Sequence, residues 1–483
     1  MDNDPTTHDR GPFSILAAAA SAAGTSTAVR DGDRTVTYAQ LLRAAVGAAG
    51  TLAESGVRQG DRVVVRAATT PETIALLFGV WHLGATAVPL HPATTDLRLD
   101  TVVRDCSAAL VVDDGSNLGA IDDDTETPEL PVTGHGPADL VCLMYTSGST
   151  AAPKGVRCPA AAVDAAMTGI AQRLGYRADD RVAMLLPLSF DYGLYQVLLT
   201  FAARGELVLA DGSSPGAMLQ AIYSHEVTVL PLVPAVATML SALMARRGPA
   251  PAVRSVTSTG ADLAEHRISE LRTAFPSAAM IAMYGITECK RVSIAEADAG
   301  LTRPGTVGRP LAGTSVEIVD ESGAPLPADT VGQIVAYGPH VMDGYWGPPD
   351  LSDGVFGTTE DGRRFLRTGD YGRVDADGYL YIQGRRDDIF KVKGVRTSTA
   401  EIAAAAEQVP GVGQAVTVPP TPDSPYLVVI TGTVEPAVVL AGMARHLEPQ
   451  KIPDDCVVVS ALPLTSNGKI DVRNVIRQYQ GKE

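Results

Sequence analysis

Positive charge is scarce in this chain: 39 Lys and Arg stand against 55 Asp and Glu, a formal net charge of −16. That balance argues against a generic nucleic-acid or anionic-membrane surface, so a site for any polyanion must build its own local positive field. Cysteine is scarce too. The five thiols, Cys106, Cys142, Cys158, Cys289 and Cys456, are odd in number and lack metal-ligand spacing. They read as reduced, mostly buried thiols rather than a disulfide framework or zinc centre. No apolar run reaches the roughly 18 residues of a membrane span. The short run 15–23 follows an acidic start, so a signal peptide is not expected and a cytoplasmic location is.

What is present suits a loop-rich α/β enzyme rather than a disordered or fibrous chain: 483 residues, 45% hydrophobic, with 47 glycines and 33 prolines. A chain this long can bury a large core and is expected to hold more than one domain. Residues 13–23 read as a helix, 34–38 as a strand entering a helix over 39–56, and 63–66 as a strand. An apolar helix over 71–84 and a strand ending at Leu90 follow. Repeated strand–helix alternation predicts mostly parallel sheets covered by helices. The acidic segment 113–136 reads as a surface loop. His82 and His91 sit on apolar elements without evident partners, and packing roles suit them better than catalysis. Many short β segments with Gly and Pro turns between 305 and 378 predict a small sheet or distorted barrel.

Several short constellations carry chemistry. Residues 145–156 read Tyr-Thr-Ser-Gly-Ser-Thr-Ala-Ala-Pro-Lys-Gly-Val, following an apolar strand. Backbone N–H groups and hydroxyls of Thr146, Ser147, Gly148, Ser149 and Thr150 can approach phosphate oxygens closely, with Lys154 adding a point charge. The order Lys154-Gly155-Val156 excludes a Walker loop, which ends Gly-Lys-Ser/Thr; an ordinary Ser/Gly turn remains the alternative. Phe190-Asp191-Tyr192 follows the strand at 182–187, where open α/β sheets place ligand groups. Asp191 either caps the next helix or faces a cation. The stretch Tyr284-Gly285-Ile286-Thr287-Glu288 offers a ring for stacking on a base, a turn glycine, a hydroxyl and a carboxylate for magnesium. A capped strand-to-helix turn is its plainer reading. Lys290 and Arg291 follow, and adjacent cations past a strand end are usually solvated. Asp370, after a Thr-Gly turn, can accept from two hydroxyls or close an Asx turn. A shift to dense charge at 384–394 marks a domain boundary, and Lys469 follows an Asn-Gly turn, usually a solvated position.

These stretches, taken in order from Tyr145 to Asp471, resemble the adenylate-forming (AMP-binding) superfamily: acyl- and aryl-CoA synthetases, peptide-synthetase adenylation domains and beetle luciferases. In pocket motif the chain is most similar to stand-alone amino-acid adenylation enzymes. Two departures show. Ala151 stands where the family usually has another glycine, and Val395-Arg396-Thr397-Ser398-Thr399-Ala400-Glu401 is an altered form of the family's pattern after the hinge. The resemblance implies a large N-terminal domain over 1–386, with mostly parallel sheets flanked by helices plus a small β-barrel-like subdomain. A small mobile α+β domain over 387–483, hinged at Asp387, carries the catalytic lysine Lys469.

The resemblance also implies ATP and Mg²⁺. The nucleotide would be held by Thr146, Ser147, Gly148, Ser149, Thr150, Lys154, Gly260, Ala261, Tyr284, Gly285, Asp370 and Arg385. Thr287 would lie near the α-phosphate, with Glu288 as the metal ligand. The acid pocket would comprise Phe190, Asp191, Tyr192, Tyr195, Thr259, Met283, Lys290 and Arg291. Asp191 would bind an amino group, and the two cations a second carboxylate. The implied product is an acyl-adenylate of an amino acid or amino-aryl acid bearing an extra carboxylate. No carrier-protein serine motif follows Asp471, so the acceptor is expected in trans: carrier pantetheine, CoA or a free amine. The alternatives are an acyl- or aryl-CoA ligase, an amide-forming ligase, a luciferase-like oxygenase or an inactive nucleotide-binding protein.

Overall fold

A computed structural model describes residues 11–113, 120–121, 131–146, 153–211, 214–259, 265–385, 388–392, 395–421, 424–465 and 469–480. Two helices show how the sequence sets local structure. Thr37 caps the helix Tyr38–Glu54 and shares a reciprocal capping box with Gln40. Pro71 occupies the first turn of Pro71–His82 and Thr70 accepts from the N–H of Thr73. These helices pack closely because Gly79 has no side chain: a Cβ there would lie 2.8 Å from the Ala45 carbonyl oxygen.

The largest sheet has nine strands among the described residues. Its centre, Arg181–Met184, Glu206–Leu209, Val229–Leu232, Ser255–Ser258 and Ala279–Tyr284, pairs in parallel. Antiparallel strands close both edges. A second, five-stranded sheet runs Leu110–Asp113, Arg62–Arg66, Thr86–Leu90, Leu140–Thr146 and Lys154–Pro159. Only its last pair is antiparallel. The apolar run Thr86–Leu90 is buried at every position, as a strand covered on both faces must be. One continuous core extends from Phe13 to Met342 between these sheets and their helices.

An antiparallel sheet of five strands follows, from Ser315–Val319 to Leu380–Arg385. Beyond it lie a hairpin, Ile389–Val392 with Val395–Ser398, and a three-stranded sheet of Val412–Val418, Leu427–Gly432 and Asp455–Val459. Helices Thr399–Glu407, Pro436–Met443 and Val472–Gln480 accompany it. Buried residues between Val392 and Cys456 form a core of their own, and a second cluster joins Val416, Val418, Leu427 and Val429 to Leu462 and Val475. No described helix is long and apolar enough to cross a membrane.

One strand went unforeseen and one expectation needs correcting. The segment preceding residue 34 contributes a strand, Thr27–Asp31, joining the largest sheet beside Glu206–Leu209. Of the expected surface loop 113–136, the far end turns inward. His135 is buried with its Nε2 3.2 Å from the Ala85 carbonyl. His82 is buried against the edge of Phe13, a packing role.

Candidate active site

The site lies beyond the C-terminal ends of the parallel strands, the usual ligand position of an open α/β sheet. Asp191 is the first residue of the helix Asp191–Ala203, with Phe190 in the cap position; it is 5% exposed, and among the described residues its carboxylate accepts no hydrogen bond from the helix N–H groups. The capping alternative therefore fails, and a buried carboxylate faces the pocket. The Phe190 and Tyr192 rings meet edge to face beside it.

The chain leaves the strand Ala279–Tyr284 in a tight turn and returns as Ser293–Ile294. Gly285 makes this possible: a Cβ there would lie 2.0 Å from the Lys290 carbonyl oxygen. Lys290 itself has a φ of +63°, a left-handed conformation that costs a non-glycine residue energy. This turn carries Lys290 and Arg291 inward, where they are 2% and 5% exposed. The solvated-surface alternative is overturned. Lys290 Nζ donates to Cys158 Sγ at 3.4 Å and lies 5.8 Å from the Tyr195 ring centroid. Burial pushes the Cys158 thiol up, so it stays neutral. The Arg291 guanidinium stacks on Tyr192 at 4.6 Å and donates from Nη1 to the Lys290 carbonyl at 2.6 Å. Tyr192 is fixed in turn by its hydroxyl, 2.6 Å from Thr257 Oγ1. Among the described residues neither cation has a carboxylate within ion-pair distance. Among the described residues, Tyr195 OH, Ser189 Oγ, Ser258 Oγ and Thr259 Oγ1, on the helix and strand ends that border the site, are buried hydroxyls without a hydrogen-bond partner. Met283 is buried on the strand beneath.

A second cluster joins the turn to the antiparallel sheet. Tyr284 donates its hydroxyl to Asp370 Oδ2 at 2.5 Å, and Arg385 Nε lies 3.3 Å from Asp370 Oδ1. Asp370 and Arg385 are register partners on neighbouring strands. Burial raises the Asp370 carboxyl above its ordinary value, outweighing Tyr284 and Arg385. Burial and then Asp370 push the Tyr284 phenol far up, so it remains a donor. Thr287 lies half-buried in the turn. Glu288 Oε1 accepts from Tyr345 OH at 2.8 Å, and Lys154 Nζ lies 5.1 Å from the same Tyr345 ring.

Lys469 reaches this space from the C-terminal segment. Its position is set by a tight return in which Thr465 N–H donates to the Lys469 carbonyl at 2.7 Å. Its Nζ lies 4.7 Å from the Phe190 ring centroid. Burial lowers its pKa below the ordinary lysine value; Asp191 opposes this, while Arg291 and Arg385 add to it. The solvated alternative for Lys469 fails on this placement.

Of the expected site residues, the structure brings together Phe190, Asp191, Tyr192, Tyr195, Lys290, Arg291 and Lys469, with Tyr284, Glu288, Asp370, Arg385 and Lys154 adjoining. Thr146 and Lys154 pair at the base of the hairpin that carries the Ser/Gly loop. Ser147, Gly148, Ser149, Thr150, Gly260, Ala261 and Asp387 lie outside the described residues. Sequence reasoning missed Tyr345 as a partner of Glu288 and Lys154. Its signal in the sequence is the run Gly344-Tyr345-Trp346, a glycine followed by two aromatic residues.

Residues 16–346 match the family described as AMP-binding enzyme. The chain is 30% identical to a feruloyl-CoA synthase from an Amycolatopsis species, over 94% of this chain and 96% of that one. It is 29% identical to the phenyloxazoline synthase MbtB of a Mycobacterium species, covering 93% of this chain but 40% of that longer protein. Among solved structures it resembles VinN, at 36% identity and a TM-score of 0.69 over 77% of this chain and 98% of VinN. A complex of VinN with L-aspartate matches at 35% identity and a TM-score of 0.68, again over 77% and 98%. The fold also matches MatB of Rhodopseudomonas palustris with ATP bound, at a TM-score of 0.85 and 24% identity over 98% of this chain and 99% of MatB. With that family match over most of its length and a pocket facing the ends of its parallel strands, the chain belongs to the AMP-binding enzyme family and is an AMP-forming acid–thiol ligase.

Proposed function

We propose that this ligase activates a small amino acid carrying a second carboxylate, an aspartate-like or aminobenzoate-like acid, and passes it to a pantetheine thiol in trans. One observation carries the reading: Lys290 and Arg291 are buried with no carboxylate partner among the described residues, in a pocket whose only described buried acid nearby is Asp191. Asp191 offsets part of this charge, but two buried cations facing one carboxylate leave an excess of positive charge, which suits an anionic ligand. The Arg291 fork matches a carboxylate, and Asp191 matches an ammonium. The similarity to VinN in complex with L-aspartate supports the same class of acid. The feruloyl-CoA synthase likeness favours a second reading of the acceptor, CoA in place of carrier pantetheine.

The residues fit a bound nucleotide. Tyr284 offers a ring face, Asp370 a carboxylate for ribose hydroxyls, and the unpartnered Ser258 and Thr259 hydroxyls lie at the strand ends below. Thr287 would face the α-phosphate, and Lys154, with the loop 147–150, the departing pyrophosphate. Glu288 supplies one carboxylate, the donor Mg²⁺ takes when phosphates and water complete its shell. When bound there, Mg²⁺ neutralises charge on the phosphate oxygens.

In the first step the substrate carboxylate oxygen bonds to the α-phosphorus of ATP, and the bond to the pyrophosphate oxygen breaks. The acid is already ionised, so no general base is needed. Catalysis rests on position and charge: Asp191 and Arg291 fix the acid, and Lys469 bridges its reacting carboxylate and the α-phosphate. In the second step a thiolate attacks the acyl carbon and AMP leaves. We assign residues 1–386 and 387–483 to separate domains hinged at Asp387. Rotation about that hinge withdraws Lys469 and admits the thiol. ATP–pyrophosphate exchange over a panel of acids tests the substrate class. Exchange should be fastest with amino dicarboxylic acids. Preference for plain fatty acids, unchanged in Arg291→Ala, would discard the proposal.

A further inference from the structure

Tyr345 touches both halves of the proposed triphosphate site, and nothing in the mechanism above uses it. Its backbone is clamped along the strand Lys154–Pro159. Arg157 N–H donates to the Gly344 carbonyl at 2.9 Å, and Trp346 N–H to the Gly155 carbonyl at 2.7 Å. Val156 and Tyr345 form a bridge between these bonds. Its own N–H donates to Ser352 Oγ at 2.9 Å, and Phe356 packs edge-on against its ring at 5.2 Å. The side chain therefore has little freedom to turn. The same segment reaches Glu288 twice: Met342 N–H donates to the Glu288 carbonyl at 2.9 Å, and Tyr345 OH to its Oε1 at 2.8 Å.

We infer that Tyr345 is a positioning residue. Its hydroxyl fixes Glu288 and leaves the other carboxylate oxygen for a metal, while its ring holds the Lys154 ammonium where the strand Lys154–Pro159 begins. Metal-ligating carboxylates are commonly held by such an outer donor, and losing it weakens metal affinity by roughly 10- to 100-fold. The ring face provides a second, separable contact through its negative quadrupole. The inference rests on the proposed reading of Glu288 as the metal ligand.

Two variants separate the contacts. Tyr345→Phe keeps the ring and loses the hydroxyl; Tyr345→Leu loses both. Mg²⁺ is titrated calorimetrically into each protein saturated with a non-hydrolysable ATP analogue, and binding of the analogue without metal is measured alongside. Tyr345→Phe should raise the half-saturating Mg²⁺ about tenfold and leave metal-free analogue binding unchanged. Tyr345→Leu should also weaken metal-free binding a few-fold. Glu288→Gln is the reference: it should raise the Mg²⁺ requirement further, and adding Tyr345→Phe to it should change nothing more. If Glu288→Gln shifts Mg²⁺ binding and Tyr345→Phe does not, the inference is overturned and the Glu288 reading survives. If Glu288→Gln has no effect on Mg²⁺, that reading falls and the inference with it. Equal weakening of metal-free and metal-dependent binding in Tyr345→Phe, with a lower melting temperature, would leave Tyr345 a structural role only and also overturn it.

Discussion

Replacing Arg291 with methionine removes the guanidinium while keeping an unbranched chain to pack on Tyr192. In the wild type the guanidinium is 5% exposed and stacked at 4.6 Å on that ring, with one N–H committed to the Lys290 carbonyl. The remaining N–H groups can make a two-pronged contact to a substrate carboxylate. Each hydrogen bond between charged groups contributes about 1.5–3 kcal/mol. Losing two therefore costs about 3–6 kcal/mol, roughly a 10²- to 10⁴-fold fall in kcat/KM for an amino dicarboxylic acid. An analogue whose second carboxylate is an amide does not depend on that charge, so its kcat/KM should fall far less and the preference should shrink or invert. Stability should change little, because the variant also removes a buried charge lacking an acid partner. Pyrophosphate exchange with the acid and its amide, measured side by side, checks this. Equal losses for both substrates would refute the reasoning.

Lys469→Ala should remove adenylate formation, raising the barrier by roughly 3 kcal/mol or more, which loss of exchange would register. In the wild type the ammonium is the working form and burial lowers its pKa. The alkaline limb of exchange should therefore begin below the ordinary lysine pKa of about 10.4. His340 is buried, both ring nitrogens lack partners among the described residues, and burial lowers its pKa to about 4. The unfolded chain takes up this proton near pH 6.5 and the folded chain does not. Stability should thus fall as pH drops from about 6.5 to about 4, by up to about 3 kcal/mol. Urea unfolding should show the decline, and His340→Leu should flatten it. Gly285→Ala forces a Cβ to 2.0 Å from a backbone oxygen. It should cost about 1–3 kcal/mol in thermal unfolding and also depress exchange, because the turn it distorts carries Lys290 and Arg291.

Much of the scaffold was legible because its strands are short apolar runs bounded by glycine and proline, as at Thr86–Leu90 and Ala279–Tyr284. The strand Thr27–Asp31 was hidden: Thr-Ala-Val-Arg-Asp is half polar, and its place beside Glu206–Leu209 is a long-range pairing. Asp191 could be singled out from the sequence, but only its burial and the placement of Phe190, not Asp191, at the cap position separate its two readings. Lys290 and Arg291 looked like surface because two neighbouring cations are usually solvated. Their burial depends on the missing Cβ of Gly285 and on Lys290 adopting a positive φ, neither of which any periodicity announces. The contact of Lys290 with Cys158 joins residues 132 positions apart. Tyr345 belongs to the same class, since it meets Glu288 and Lys154 through an isolated bridge to Val156, a pairing far apart in sequence.

The most direct measurement is a crystal structure with a hydrolysis-resistant aspartyl-adenylate analogue bound. The account predicts the analogue's ammonium within about 3 Å of Asp191 and its free carboxylate within about 3 Å of Lys290 or Arg291, with the phosphate mimic facing Lys469. An analogue seated with its free carboxylate away from both cations, or outside this pocket altogether, would contradict it.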